Sequence, residues 1–174
     1  MEIIDMHAHI YPNKIAEKAS HSVGEFYTIP MQTVGSVEAL FEAGNRAGVD
    51  RFLVQSVATT SQQVVSINNF IRQTCEEYPC RLIGFGTIHP GLESPVEEVE
   101  RCLSMGLKGI KIHPDVQRFH MDDPAMFPIY DALQGRAPIL IHCGDYRYDY
   151  SHPSRLAHVL DEFPRLEVIA AHFG

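Results

Sequence analysis

The first residues of the chain have a spacing of side chains that suits metal coordination. In Asp5-Met6-His7-Ala8-His9, an acidic residue and two histidines recur at every second position. A period of two places them on one face of a β-strand, whereas on a helix the two histidines would point in nearly opposite directions. Two imidazoles on one face form half of a metal site, although an isolated pair is more often two hydrogen-bonded histidines at a strand end. The pair therefore needs partners from elsewhere in the chain.

Two later histidines end apolar runs where an aliphatic residue would be expected. His142 follows the run 139–141, and His172 follows the run 168–171. A neutral buried imidazole needs partners for both ring nitrogens, and a metal ion with a nearby acceptor supplies them. Three nitrogens around one ion leave a position for water, which is typical of catalytic zinc and yields hydroxide near neutral pH. The spacing predicts one divalent ion, with zinc preferred and manganese or iron left open.

The elements that would position these histidines alternate between strands and helices. The predicted strands are Ile3–Ile10, Phe52–Ala58, Leu82–His89, Gly109–His113, Pro138–His142 and Leu166–His172. Their short, β-branched, apolar runs are typical of buried strands. Between them, apolar residues recur every three or four positions, which indicates amphipathic helices. A repeated strand, helix, strand order requires parallel strands joined by crossovers, so the predicted fold class is α/β.

Both an open doubly wound sheet and a closed eight-stranded barrel fit this alternation. Five of the six predicted strands carry histidines at or near their ends: His7 and His9, His89, His113, His142 and His172. In an open sheet these ends lie along a line, whereas in a barrel they converge on one mouth, where such enzymes place their chemistry. Convergence favours a (β/α)8 barrel of the TIM type. The fifth strand of such a barrel lies across from the first, so His142 can meet His7 and His9 over the mouth.

Other polar residues are expected on the same rim. His113 is predicted to face the substrate or to anchor its own loop by a hydrogen bond. Arg147 follows the fifth strand, where its guanidinium can bind a substrate carboxylate, although such a position is more often an exposed loop. Cys143 neighbours an inward-facing ligand and is expected to point to the opposite face as a small core residue. The polar segment 13–35 is long enough to cover a site.

Composition excludes several classes of protein. The chain has 174 residues, with 22 acidic and 14 basic residues and a formal net charge of −8. An acidic balance argues against nucleic-acid binding, which usually needs a basic stripe. The uncharged run 52–71 is long enough to cross a membrane but is half polar, so no membrane segment is predicted. The expected partner is a small molecule, and a homodimer is compatible with the sequence.

The compartment is predicted from the cysteines and the N-terminus. The four cysteines have no zinc-finger spacing and are interpreted as reduced thiols. The first residues lack the basic and apolar regions of a secretory signal, so a cytoplasmic location is expected.

Four motifs in order along the chain resemble the amidohydrolase superfamily. They are Asp-x-His-x-His at 5–9, Gly-Ile-Lys-Ile-His-Pro at 109–114, Ile-His-Cys-Gly at 141–144 and Ala-His-Phe-Gly at 171–174. The resemblance runs over the whole chain. It is nearest to the amidohydrolase-related branch that is similar to aminocarboxymuconate-semialdehyde decarboxylase and the resorcylate-type decarboxylases.

The resemblance implies roles for particular residues. It assigns His7, His9 and His142 as metal ligands. It implies that His172 either contacts the metal or holds its water and acts as base or acid. Lys111 stands where two-metal members carry a carboxylated lysine, but the strand-four pattern is closer to the one-metal branch, so we expect a lysine tucked under the mouth.

The resemblance also indicates that a residue is missing. The family places an aspartate at the end of the eighth strand, and this chain stops after the sixth predicted strand. Eight units at about 250 residues make the usual barrel. We therefore expect residues 1–174 to be a single amidohydrolase-like barrel domain that lacks about two C-terminal units, and the fragment itself to be inactive if that aspartate is essential.

The expected activity is metal-dependent hydrolysis of a small molecule through activated water, or a related non-oxidative decarboxylation, with His172 moving protons. A TatD-type deoxyribonuclease is an alternative, because it also opens with Asp-x-His-x-His. The net charge and the strand-four sequence, which lacks a bridging carboxylate, argue against it. The alternative from another class is a non-catalytic metal-binding barrel fragment.

Overall fold

The structure is a computed structural model that describes residues 1–173, so Gly174, the last residue of the closing Ala-His-Phe-Gly motif, lies outside the described residues. Within that range the strands are β1 (Ile4–His9), β2 (Arg51–Gln55), β3 (Leu82–Gly84), β4 (Gly86–Thr87), β5 (Ile110–Ile112), β6 (Ile139–Ile141) and β7 (Val168–Ala170). The helices are α1 (Asn13–Tyr27), α2 (Val37–Ala47), α3 (Val64–Glu77), α4 (Pro95–Ser104), α5 (Pro114–Gln117), α6 (Phe127–Leu133) and α7 (Pro153–Glu162). Short 3-10 helices cover Ser61–Gln63, Pro124–Met126 and Ala171–Phe173. Among these helices, none is long and apolar enough to cross a membrane.

All strand pairs within residues 1–173 are parallel. The order is β1-β2-β3 in one sheet and β4-β5-β6-β7 in the other. The six predicted strands are therefore present, but the prediction of one unbroken strand over Leu82–His89 is wrong. The chain changes partners at Phe85, whose N–H donates to the Val54 carbonyl at 3.0 Å, while the next N–H, from Gly86, donates to Gly109 at 2.9 Å. The two sheets thus form one curved series of strands.

Two glycines lie on either side of the break in this strand, at 84 and 86. A Cβ at Gly84 would lie 2.8 Å from the Cys75 sulfur, and one at Gly86 would lie 2.9 Å from the Cys102 sulfur. Cys75 belongs to α3 and Cys102 to α4, so both helices approach the strand backbone more closely than any side chain would allow. Glycine at these two positions is therefore needed for the helices to pack this closely on the sheet.

The core is divided by the sheet into an outer and an inner layer. Alternate strand residues such as Phe52 and Ile139 pack outward into a large cluster that includes the helices. The residues between them face inward, where Leu53 and Leu140 form a separate buried cluster with Phe85 and Ala171. This alternation is the two-faced pattern of a barrel strand, which packs side chains both inside and outside.

The carboxyl ends of the strands are tied together by one buried glutamine. The Gln117 side chain accepts from the His113 N–H at 2.8 Å. It donates to the carbonyl of Ala58 at 2.9 Å and to that of Ile88 at 2.7 Å. Since these groups follow β2, β4 and β5, the glutamine holds three neighbouring strand ends in place. The predicted strands extend too far at their C-terminal ends: His89, His113 and His142 lie in the loops that follow the strands, and His172 lies in the 3-10 helix Ala171–Phe173.

Candidate metal centre

The histidine pair of β1 has the geometry of two ligands on one ion. The Nε2 atoms of His7 and His9 lie 3.3 Å apart, and their ring centroids are 5.3 Å apart. Two nitrogens bound at about 2.1 Å to a tetrahedral ion stand about 3.4 Å from each other. The strand period that predicts one shared face therefore also gives a separation that fits a divalent ion.

His142 and His172 lie at the same mouth. His142 directly follows β6, and its N–H donates to the Ile112 carbonyl at 3.2 Å. The His172 ring lies 4.9 Å from the His142 ring and 5.3 Å from the His7 ring, measured between centroids. His172 follows β7 with a φ of 60°, a left-handed conformation that is uncommon for a residue other than glycine. Backbone strain of this kind is concentrated at functional sites.

The electrostatic surroundings keep these imidazoles neutral. Burial, together with the nearby Lys111, lowers the pKa of His7 to about 4 and that of His142 to about 3. The same two causes lower the pKa of His9 well below its usual value, and that of His172 as well. A neutral imidazole has a free lone pair and is the form that binds a metal ion.

Buried polar groups without partners surround the mouth. Lys111 lies on β5 in register with the inward-facing Leu140, it is fully buried, and its Nζ has no hydrogen-bond partner within residues 1–173. Burial lowers its pKa to about 7. Gln55 stands in register with His9, and its buried amide likewise has no partner among the described residues. Unpartnered buried groups are rare in folded proteins and indicate a functional site or a bound ion or water. The expected position of Lys111 under the mouth agrees with this arrangement.

A second group of donors lies beside the first. Among the described residues, the group whose donor atoms all lie within 4.8 Å of one another is His113, Asp115 and His142, rather than His7, His9 and His142. The His113 and His142 rings are stacked with centroids 3.8 Å apart and planes 10° apart. Asp115 Oδ2 lies 3.9 Å from His142 Nε2. The set of His7, His9 and His142 as ligands to one ion stays a prediction.

Asp115 was missed by the sequence reasoning. It lies on α5, two residues beyond His113, and is buried. An acidic residue close behind a strand-end histidine was the available signal.

Tyr27 is another residue of the mouth that sequence reasoning missed. It is the last residue of α1, and its hydroxyl lies 2.5 Å from Nε2 of His113. Its ring centroid lies 6.1 Å from that of His142. The polar segment 13–35 thus reaches the site, as its length indicated, but nothing in its spacing singles out this tyrosine.

Arg147 fastens the same helix end to the loop after β6. Its Nε and Nη2 donate to the Asp145 carboxylate at 2.9 and 2.6 Å. Its Nη1 donates to the Phe26 carbonyl, and its guanidinium lies 4.6 Å from the centroid of the Phe26 ring. The role of Arg147 in binding a substrate carboxylate stays a prediction, since three of its five N–H groups already have acceptors.

His89 lies apart from these groups. Its Nδ1 accepts from the Gly91 N–H at 3.0 Å, so it fastens its own turn. Cys143 is buried in the outer core, as its place beside an inward-facing residue predicts.

Comparisons with known proteins extend these observations. A family model described as Amidohydrolase matches residues 4–174. The chain is 38% identical over 79 residues to 2-amino-3-carboxymuconate-6-semialdehyde decarboxylase from Dictyostelium discoideum, a match that covers 44% of this chain and 22% of that protein.

Solved structures share the fold. An uncharacterised TIM-barrel protein from Bordetella bronchiseptica has 18% identity and a TM-score of 0.77, covering 98% of this chain and 66% of its own. A second structure is a 5-carboxyvanillate decarboxylase from Novosphingobium aromaticivorans, complexed with manganese and 4-hydroxy-3-methoxy-5-nitrobenzoic acid. It has 18% identity and a TM-score of 0.72, and the match covers 99% of this chain and 65% of that protein. The chain therefore has the strands of a partial (β/α)8 barrel, and it spans about two thirds of the length of these structures.

Proposed function

The chain belongs to the amidohydrolase family, and from this we propose that it forms part of a metal-dependent enzyme that acts on a small acidic molecule by hydrolysis or by non-oxidative decarboxylation. The observation that carries the proposal is the 3.3 Å separation of the His7 and His9 Nε2 atoms at the barrel mouth. A bound divalent ion supplies Lewis-acid chemistry, which polarises substrate or water.

The residues at the mouth have distinct proposed roles. His7, His9 and His142 hold the ion, because burial keeps their rings neutral and the strand ends bring them to one mouth. His172 moves protons, since its ring contacts both His7 and His142 while remaining exposed to an incoming molecule. Arg147 would contact the substrate through the N–H groups that have no acceptor, and His113, whose ring nitrogens are already hydrogen-bonded, would line the substrate site with its ring.

The ion is proposed to be zinc. Imidazole nitrogens in a tetrahedral arrangement suit Zn²⁺, and the His7 to His9 separation fits that geometry. Manganese is the alternative, because the related carboxyvanillate decarboxylase is complexed with that ion.

Decarboxylation is favoured over hydrolysis. The named relatives in the comparison are both decarboxylases of unsaturated or aromatic acids.

We propose a small-molecule substrate with no nucleic-acid partner, in line with a net charge of −8. The four free cysteines fit a reducing compartment, so we propose a cytoplasmic location, and we propose a homodimer as the assembly to test first.

Elemental analysis and a substrate screen test the proposal together. The natural protein that contains this chain is purified without chelators, and its zinc and manganese contents are measured per chain. It is then incubated with 2,6-dihydroxybenzoate and with simple lactones and esters. We expect one ion per chain and release of CO2 without uptake of water. A protein without bound metal, which also fails to bind added zinc or manganese, would contradict the proposal and favour a structural role.

A further inference from the structure

The Tyr27 hydroxyl lies at the barrel mouth, where it accepts a hydrogen bond from His113 and keeps its own proton available to donate. His113 Nδ1 accepts from the Val116 N–H at 3.4 Å, so this nitrogen carries no proton. The other nitrogen, Nε2, then carries the proton of the neutral ring and donates to the Tyr27 oxygen at 2.5 Å.

A phenol that accepts one hydrogen bond still has an O–H to donate. Among residues 1–173, no acceptor for this O–H is found. Two nearby carboxylates could accept this proton, but neither does. Asp145 is bound by Arg147, and the Asp115 carboxylate makes no hydrogen bond with the phenol. Burial, followed by the charges of Asp145 and Asp115, raises the pKa of Tyr27 to about 12, so the phenol keeps its proton.

The position of Tyr27 is fixed rather than loose. Arg147 donates to the carbonyl of the preceding residue, Phe26, and its guanidinium lies 5.5 Å from the centroid of the Tyr27 ring. Since Asp145 holds the same guanidinium, the end of α1 is fastened to the loop after β6. A donor held by neighbours in this way is preorganised to bind an oxygen at the mouth.

We propose that the Tyr27 hydroxyl donates a hydrogen bond to a carboxylate oxygen of an acidic substrate bound at the mouth, which makes Tyr27 a substrate-binding residue. This inference rests on the proposed function, because it takes the mouth to be the substrate site. A hydrogen bond received by a carboxylate is stronger than one received by a neutral oxygen, so the contact favours acids over their esters.

Calorimetric titration of the natural metal-loaded protein tests this inference. The probes are 2,6-dihydroxybenzoate and its neutral methyl ester, and the variant is Tyr27→Phe, which removes only the hydroxyl. Tyr146→Phe is the matched control, since Tyr146 lies in the loop after β6 and is 97% exposed. Tyr27→Phe should weaken binding of the acid about 10-fold to 100-fold and binding of the ester less. Tyr146→Phe should bind both probes as the unchanged protein does.

Metal content separates the two proposals. If Tyr27→Phe keeps its metal and binds the acid as tightly as the unchanged protein, the role of Tyr27 is overturned while the proposed function stands. An equal loss of affinity for acid and ester would also overturn it, because that result indicates a general disturbance of the mouth. If the unchanged protein takes up no metal at all, the proposed function fails instead, and the premise of this inference fails with it.

Discussion

Two groups of histidines lie at the same barrel mouth and differ in what their nitrogens already bind. In the β1 pair, the Nε2 atoms of His7 and His9 lie within hydrogen-bond distance of each other, at 3.3 Å, so each nitrogen has the other candidate ligand as its partner. In the neighbouring group of His113, Asp115 and His142, the donor atoms also lie close together, within 4.8 Å. Both nitrogens of His113, however, take part in hydrogen bonds with groups outside this set, the Tyr27 hydroxyl and the Val116 N–H. Closeness of donor atoms alone therefore does not define a metal site, because a ligand also needs a free lone pair.

Replacing both histidines of the β1 pair should have the largest effect. His7→Asn together with His9→Asn removes two ligand nitrogens, and we expect metal affinity to fall at least about 10³-fold. Competition titration with a chromogenic zinc chelator measures the change. His21→Asn is the control, since this histidine of α1 has a side chain that is 74% exposed.

Unchanged metal affinity in the double variant would assign the ion to the His113 group instead. It would also show that the β1 histidines merely hydrogen-bond to each other.

Removing the glutamine that holds the second group should affect stability more than metal binding. Gln117→Leu leaves the His113 N–H and the carbonyls of Ala58 and Ile88 without their partner. Since each of these three buried groups left unpaired costs about 1–3 kcal/mol, we expect the free energy of unfolding to fall by at least about 3 kcal/mol. Urea denaturation measures this loss.

The control for that variant is Gln73→Leu, because the Gln73 amide makes one exposed hydrogen bond, to Glu77. We expect Gln117→Leu to retain the same number of ions per chain when folded. Loss of the ion from folded Gln117→Leu would indicate that the His113 group carries the metal.

The smallest of the three effects is expected from Asp115→Asn. The Asp115 carboxylate lies 3.9 Å from His142 Nε2, which is too far for a hydrogen bond, so we expect it to act on that ring through its charge rather than as a ligand of the ion. Loss of such a neighbouring charge weakens metal binding by about 10-fold, whereas loss of a direct ligand would weaken it far more. The measurement is the same zinc competition, with the exposed Asp161→Asn as control. A loss as large as that of the double histidine variant would make Asp115 a ligand.

The alternation of strands and helices could be predicted from the sequence because each strand keeps its period of two and its apolar face. Neither the break at Phe85, where the partner changes from Val54 to Gly109, nor the close approach of Cys75 and Cys102 to Gly84 and Gly86 could be predicted. These contacts join residues that are distant in sequence, and glycine alone does not indicate which neighbour will occupy the space.

The histidines of the mouth could be predicted because strand ends in a parallel barrel meet at one side. Tyr27 and Asp115 could not, for a different reason in each case. Tyr27 comes from the end of a helix whose path over the mouth depends on the Arg147 contact with Phe26. Asp115 lies in a short helix that turns it back toward His142. Neither position follows from local periodicity.

The most direct test of the account is to locate the ion. Crystals of the natural protein loaded with zinc or manganese can be measured at the absorption edge of that metal, and the anomalous difference map gives the position of the ion. The account predicts one peak about 2.1 Å from the Nε2 atoms of both His7 and His9. A peak bound by Asp115 and His113, away from the β1 pair, would contradict it.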